Sequence, residues 1–226
     1  DRYHDENFLK EVKKIKKESL IIASSDINII LPSNLEEALL LKAVEPNLKI
    51  VAGNTDLGVL HNKGRGDFKN VMSLTHVHEL KKIKSDKNFI YVGATATLSD
   101  FESFIEEEIE ELKSLLHIFA SPQIKNQGTL IGNVLNASPI GDSIPFLLSS
   151  EASVLIESVK GQREVLLEKF YLGYKKLDLE SSEIVVGVRI PRLKAKEKMS
   201  LFKVSMRKDL DISAVTFAGK IKVENN

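Results

Sequence analysis

The 226-residue sequence predicts an α+β chain: a small α/β unit with a parallel sheet, followed by a larger unit richer in strand than in helix. Three observations predict it. Residues 27–74 read strand, helix, strand, strand with short connections, the βαβ pattern of parallel pairing. From about residue 152 onward, strand-like segments follow one another with little helix between them. Between these regions, residues 120–145 lose all periodicity and gather Gly128, Gly132, Gly141, Pro122, Pro139 and Pro145. At about 150 residues per domain, the length suits one large domain or two small ones.

The elements are read in chain order. Residues 5–18 are Lys-rich, with Phe8, Leu9, Val12 and Ile15 on one helical face, the pattern of a surface or linker helix. Ile27–Leu31 is a strand stopped by Pro32. Ser33 with Glu36 three residues on predicts a capping box for a helix from Asn34 to about Val44. Leu48–Ala52 and 69–74 are the next strands, and Phe89–Val92 opens the second region. Ser99 with Glu102 predicts a second capping box. Phe101, Phe104, Ile105, Ile109, Leu112 and Leu116 follow at helical spacing. The acidic run Glu106–Glu108, with Glu110 and Glu111, is the solvated face of that helix. Strands are expected around 152–158, 162–167, 183–190, 199–206 and 214–223.

Composition excludes several functions. Hydrophobic residues are 42% and charged residues 28%, enough apolar material for a core. Thirty-two basic residues balance thirty-two acidic ones, so no electrostatic footprint points to nucleic acid or an anionic membrane. There is no cysteine. Disulfides, thiolate zinc sites, a cysteine nucleophile and iron–sulfur clusters held by this chain's own thiolates are therefore excluded. Apolar runs such as Leu20–Ala23 are about four residues long, against the roughly 20 a membrane span needs. The chain starts Asp1-Arg2-Tyr3 without a signal-like stretch. A cytoplasmic protein, or an internal piece of one, is expected.

Two loops carry candidate chemistry. Gly53-Asn54-Thr55-Asp56 follows the strand Ile50-Val51-Ala52 directly. A glycine there permits positive φ and close backbone approach, and N–H groups converging at a helix start suit a phosphate. The same pattern also serves as a plain turn. The second loop, Ser121 to Asp142, is dense in Gly, Asn, Ser and Thr and nearly free of charge. Such a loop can wrap a nucleotide, with Asp142 accepting from ribose hydroxyls, and a long structureless loop in a compact domain is usually functional. His76 and His78 form an H-x-H pair without a third ligand nearby, so turn closure is preferred to a metal site. Tyr171 and Tyr174 are read as core packing.

These loops, in this order, resemble the flavin-binding domain of the molybdenum hydroxylases, the xanthine dehydrogenase type above all. Val51–Asp56 is similar to that family's V-A-G-G/N-T-D/E loop, and Thr129–Asp142 to its T-[IL]-G-G-N…A-S-P-I-x-D loop. The segment Phe202–Ala214 is similar to F-K-x-x-x-R-x-x-x-D-I-A. The resemblance covers residues 27–218. It implies the p-cresol methylhydroxylase-type FAD fold, with a small α/β subdomain and a larger, mostly antiparallel α+β one. The expected divisions are 1–26 as linker, 27–84 and 85–195 as the two FAD-binding subdomains, and 196–226 as the start of a truncated C-terminal subdomain.

The resemblance also implies roles. Ile50, Val51, Ala52, Gly53, Asn54, Thr55, Asp56 and Leu57 would wrap the pyrophosphate of a non-covalent FAD. Phe119 and Ala120 would lie near the flavin, and Thr129, Gly132 and Asn133 on the phosphates. Asn136 adds a polar contact, Asp142 holds the adenosine ribose, Ile184 and Val185 pack on the ligand, and Lys203 reaches the flavin ring. Arg207–Asp211 resembles the mobile loop beside the flavin. No catalytic acid or base and no metal ligand is expected in this chain. Electrons would pass from iron–sulfur clusters and a molybdopterin centre, held by partner domains or subunits of a homo- or hetero-oligomer, through FAD to NAD.

One departure stands out: Ile131 occupies a glycine position of the pattern. A β-branched residue at positive φ would cost of order 1–2 kcal/mol. Weak flavin binding is therefore expected, with Ile131→Gly binding roughly tenfold tighter. Asp142→Ala is expected to weaken flavin binding more than folding. Two alternatives stand beside this reading. One is another FAD reductase of the same fold, such as the enolpyruvyl-glucosamine reductase of cell-wall synthesis. The other is a degenerate scaffold that bridges subunits without flavin.

Overall fold

The computed structural model describes residues 18–24, 27–105, 109–207 and 210–223. The expected Lys-rich helix at 5–18, apart from Glu18, and the Glu106–Glu108 run lie outside the described residues.

The first layer is a four-stranded sheet in the order β1-β2-β4-β3, with β1 at Leu20–Ala23, β2 at Asn28–Leu31, β3 at Lys49–Val51 and β4 at Asn70–Ser73. β2, β4 and β3 are parallel, as the βαβ pattern predicts. β1 pairs antiparallel on the open edge of β2, and its four residues are exposed, so a four-residue apolar run became an edge strand and not core. Helix α1, Leu35–Val44, crosses between β2 and β3 and buries Ala38 at 0% exposure. Its cap lies one residue later than expected. Asn34, in extended backbone, accepts from the Glu37 N–H at 2.9 Å, and Glu37 accepts in turn from the Ser33 N–H at 2.9 Å. At the other end Lys42 donates to the carbonyls of Pro46 and Leu48, both at 2.7 Å, and burial pushes its pKa down. Helix α2, Thr55–Asn62, joins β3 to β4 and buries none of its residues.

The second layer is an antiparallel sheet in the order β5-β6-β11-β7-β8: Ile83–Ser85, Phe89–Gly93, Ile184–Pro191, Ser153–Ser158 and Gly161–Leu166. The expected single helix after residue 99 is two helices, α3 at Leu98–Ile105 and α4 at Glu110–His117, separated at Ile109, whose backbone is extended. The cap of α3 also differs. Thr97 and Asp100 form the reciprocal pair, each N–H donating to the other's side chain at 3.0 Å. Ser99 and Glu102 instead reach Asn126 and Lys125. Both corrections share a cause: several Ser, Thr, Asn and acidic residues near each start fit the capping pattern, and the approach of the next element selects among them.

The expected structureless segment 120–145 is another correction. It folds into α5, Pro122–Lys125, α6, Leu130–Asn136, and the start of α7, Ser143–Ser149. Leu130, Ile131, Val134, Phe146 and Leu147 of these helices are all buried. Helices this short cannot display a full amphipathic period, so periodicity misses them. After β8 come α8, Leu167–Phe170, and the small pair β9, Tyr171–Gly173, and β10, Lys176–Leu177. Tyr171 packs on the core and donates to the Val134 carbonyl at 3.0 Å, its pKa pushed up to about 12 by burial, whereas Tyr174 is exposed. Finally β12, Glu197–Val204, and β13, Val215–Lys222, form a separate two-stranded hairpin over α4 and α7. Phe202, Val204, Val215, Phe217 and Ile221 on its outer face are exposed.

Arg163 of β8 clamps the entrance to β11. Its guanidinium donates to both carboxylate oxygens of Glu183, at 2.6 and 2.8 Å, and to Asp178 at 2.9 Å. Arg163's hydrogen bonds hold the Glu183 carboxyl below its ordinary 4.5. The folded state thus releases this proton more readily than the unfolded chain. The stabilisation is complete above pH 4.5 and is lost as pH falls through the lower folded value. Glu183→Gln should therefore lower neutral-pH stability by about 2 kcal/mol. Urea titrations from neutral to acid pH should show its deficit shrinking as the wild type loses the carboxylate.

Candidate functional site

The two loops singled out from sequence meet backbone against backbone. A Cβ on Gly53 would lie 2.0 Å from the Gln127 carbonyl oxygen and 2.8 Å from the Gly128 Cα, so no other residue fits at position 53. The positive φ expected at Gly53 is instead at Asn54 (φ 58°), a residue type that tolerates the left-handed region. Gly53 is needed for proximity, not for conformation. Two bonds tie the second loop down: the Leu98 N–H donates to the Gly128 carbonyl at 2.8 Å, and Asn136 donates to the Asp56 carboxylate. The Gly53 contact thus packs the start of α2 against the turn before α6, while the Asn136 bond ties it to the end of α6. Asn54 makes no side-chain cap on α2, so the first-turn N–H groups of that helix lack intrahelical acceptors. At α6 the Thr129 hydroxyl accepts from the Gly132 N–H at 2.9 Å, and a Cβ on Gly132 would come 3.0 Å from that hydroxyl.

Beside this junction lies a cleft of about 370 Å³, lined by Phe119, Ala120, Ser121, Ile124, Asn133, Ile140, Gly141, Asp142, Lys203 and Leu210–Ile212. Ala120 is in the left-handed region (φ 54°), a conformation that costs a residue with a Cβ of order 1 kcal/mol. Asn133 accepts from the Ser143 hydroxyl at 2.6 Å, linking α6 to α7.

The wall of the cleft holds a buried ion pair. Lys203 donates to Asp142 at 2.7 Å, and their side chains are 3% and 11% exposed. Lys203 also donates to the Asp211 carbonyl at 3.0 Å and to the Ser213 hydroxyl at 2.6 Å. Ser213 and Thr216 both donate to the second oxygen of Asp142 at 2.5 Å. Asp142 thus stands at the start of α7 without capping it, because its carboxylate is taken by the hairpin. Nearby, hydrogen bonds from Arg207 hold the Asp211 carboxyl below its ordinary range. Lys208 and Asp209 of the expected mobile loop lie outside the described residues.

Of the residues singled out from sequence, Phe119, Ala120, Asn133, Asp142 and Lys203 line the cleft, and Gly53–Asp56, Thr129, Gly132 and Asn136 form the junction. Ile50, Val51, Ala52 and Leu57 flank that junction in chain order. Ile184 and Val185 do not reach the cleft wall; they are 1% and 3% exposed within the central strand of the antiparallel sheet. The strain expected at Ile131 is absent. Ile131 sits in the first turn of α6 with helical backbone, 2% exposed in the core. The expectation that Asp142→Ala would spare folding also changes, since it would strand a buried Lys203 ammonium. Ser213 and Thr216 were missed. Ser213 stands within the third motif and Thr216 beyond it, and no local pattern pairs either with Asp142. His76 and His78 fall in successive 3₁₀ turns on either side of buried Val77, and among the described residues no cluster of three His, Cys, Asp or Glu could hold a metal.

Two sheets, a glycine contact between two loops and a cleft beside it make up the candidate site. The comparisons make the assignment specific. Residues 25–193 match the family described as FAD binding domain in molybdopterin dehydrogenase, and the chain belongs to that family. It is 34% identical over 199 residues to xanthine dehydrogenase/oxidase of Gallus gallus, covering 83% of this chain and 15% of that one. It is 32% identical over 207 residues to the nicotinate dehydrogenase FAD-subunit of Eubacterium barkeri, covering 88% of this chain and 70% of the subunit. The chain thus spans about 15% of the length of the xanthine dehydrogenases it matches. In fold it is similar to quinoline 2-oxidoreductase from Pseudomonas putida 86 (TM-score 0.78, 25% identity, 86% of this chain and 68% of that one). It is also similar to CO dehydrogenase from Oligotropha carboxidovorans (TM-score 0.80, 20% identity, 91% and 72%).

Three substitutions probe the two loops. Gly53→Ala should cost about 3 kcal/mol, because a carbonyl oxygen must move. Ile131→Ala should cost about 2–4 kcal/mol through the cavity it leaves, with Ile131→Gly costing about 1 kcal/mol more. Thermal or urea unfolding of the three variants checks both values.

Proposed function

We propose that this domain binds FAD non-covalently and serves as the flavin component of a molybdenum hydroxylase. The observation that carries the proposal is the junction: the Gly53–Gln127 contact packs the start of α2 against the turn that leads into α6, and the Asn136–Asp56 bond ties the start of α2 to the end of α6. Helix starts present N–H donors and a positive dipole end, which suit a diphosphate. In this reading the backbone of Ile50–Leu57 wraps the pyrophosphate, with Thr129, Gly132 and Asn133 on its other side. The cleft takes the rest of the ligand, with Phe119 and Ala120 against it and Asp142 and Lys203 as its polar wall. Ile184 and Val185 support that wall from the core beneath.

The residues present fit such a ligand: one cleft combines aromatic, small and paired charged side chains next to the uncapped helix start. When bound, the flavin supplies the redox chemistry, carrying electrons from iron–sulfur clusters to an acceptor such as NAD. The protein's part is to position the dinucleotide and to supply fixed dipoles around it. Absence of cysteine fits clusters carried elsewhere, and an iron–sulfur domain and a molybdopterin subunit are the proposed partners. The short coverage of the xanthine dehydrogenases supports this division of labour. A cytoplasmic location belongs to the same proposal.

Titration of the purified protein should quench FAD fluorescence saturably at one flavin per chain, and ADP should compete because it carries the same diphosphate. A protein that neither quenches FAD nor turns yellow on reconstitution would support the scaffold reading instead.

A further inference from the structure

We propose that Ser213 is a latch: its hydroxyl occupies the donor of Lys203 that a bound flavin takes, and so ties Leu210–Ser213 across the cleft. This rests on the reading of the cleft as the flavin site. An ammonium has three N–H donors. Lys203 spends all three, on Asp142 at 2.7 Å, on the Asp211 carbonyl at 3.0 Å and on Ser213 at 2.6 Å. Its side chain is 3% exposed, so no approach from bulk water supplies a fourth partner. An acceptor on a ligand in the cleft can bond to Lys203 only by replacing one of the three.

The three are not equally replaceable. Asp142 carries the balancing charge, and removing it from a buried ammonium costs several kcal/mol. Asp211, whose carbonyl is the second partner, is itself held through its carboxylate by the Arg207 N–H at 2.9 Å. Ser213 is neutral and lies between exposed Ile212 and Ala214, and Asp142 keeps Thr216 when Ser213 leaves. The hydroxyl of Ser213 is therefore the partner that yields. While it is in place it bonds both members of the ion pair and holds Leu210–Ser213 over the cleft.

The test compares full-length wild type with Ser213→Ala and Ser213→Thr. FAD affinity is measured by fluorescence titration, and amide hydrogen exchange over residues 210–216 is measured without ligand. Ser213→Ala should bind FAD about fivefold more tightly, because a hydrogen bond no longer has to be given up. Its loop amides should exchange about fivefold faster. Ser213→Thr keeps a hydroxyl and should restore both wild-type values. Wild type and Ser213→Ala binding FAD equally, or Ser213→Ala binding it more weakly, overturns the latch while the flavin reading stands. Absence of FAD binding in all three proteins overturns both.

Discussion

No side chain fits between residue 53 and the Gln127 carbonyl, and the arrangement of the molecule follows from that contact. It brings the end of a parallel strand against the turn that starts α6. Because Gly128 in turn receives the Leu98 N–H, the contact couples the first sheet to the helices of the second. Asn136 then bonds Asp56 across the junction and sets its register.

The second constraint is electrostatic. Asp142 and Lys203 come from segments 61 residues apart and meet with little solvent around them. Burying such a pair is tolerable only when the remaining donors and acceptors are satisfied. Ser213, Thr216 and the Asp211 carbonyl satisfy them. The pair therefore seats the β12–β13 hairpin on α7 while lining the cleft. The Asp142 and Lys203 side chains that fasten the hairpin are the same ones that line the cleft. The outer face of that hairpin, with Phe202 stacked beside Phe217 at 6.2 Å between ring centroids, faces solvent.

Substitution within the phosphate-loop pattern is less disruptive than its chemistry suggests. Ile131 replaces a glycine of the pattern, yet it lies in a first helical turn where a side chain points into the core. Thr129 and Gly132, on either side of it, keep the features that a close ligand approach needs: a hydroxyl cap and a residue without Cβ. The departure adds apolar contact beneath the helix and leaves the Thr129 cap on the Gly132 N–H in place.

The sequence by itself determined the parallel βαβ start, the strand-rich remainder and the family, because β periodicity and three ordered motifs are local properties of the chain. It also marked Gly53, Asn54, Asp142 and Lys203 as unusual positions. It misassigned which Ser, Thr or acidic residue caps α1 and α3, since neighbouring candidates are equivalent until another element approaches. It missed α5 to α7 as helices because each is too short to show a period. Only the tertiary structure decided that Gly53 serves contact and Asn54 serves conformation, and that Ile184 and Val185 are core. Only it joined Asp142, Lys203, Ser213 and Thr216 into one network. Those facts depend on distances between residues some 60 to 80 positions apart, and such distances are set by packing, not by any local pattern.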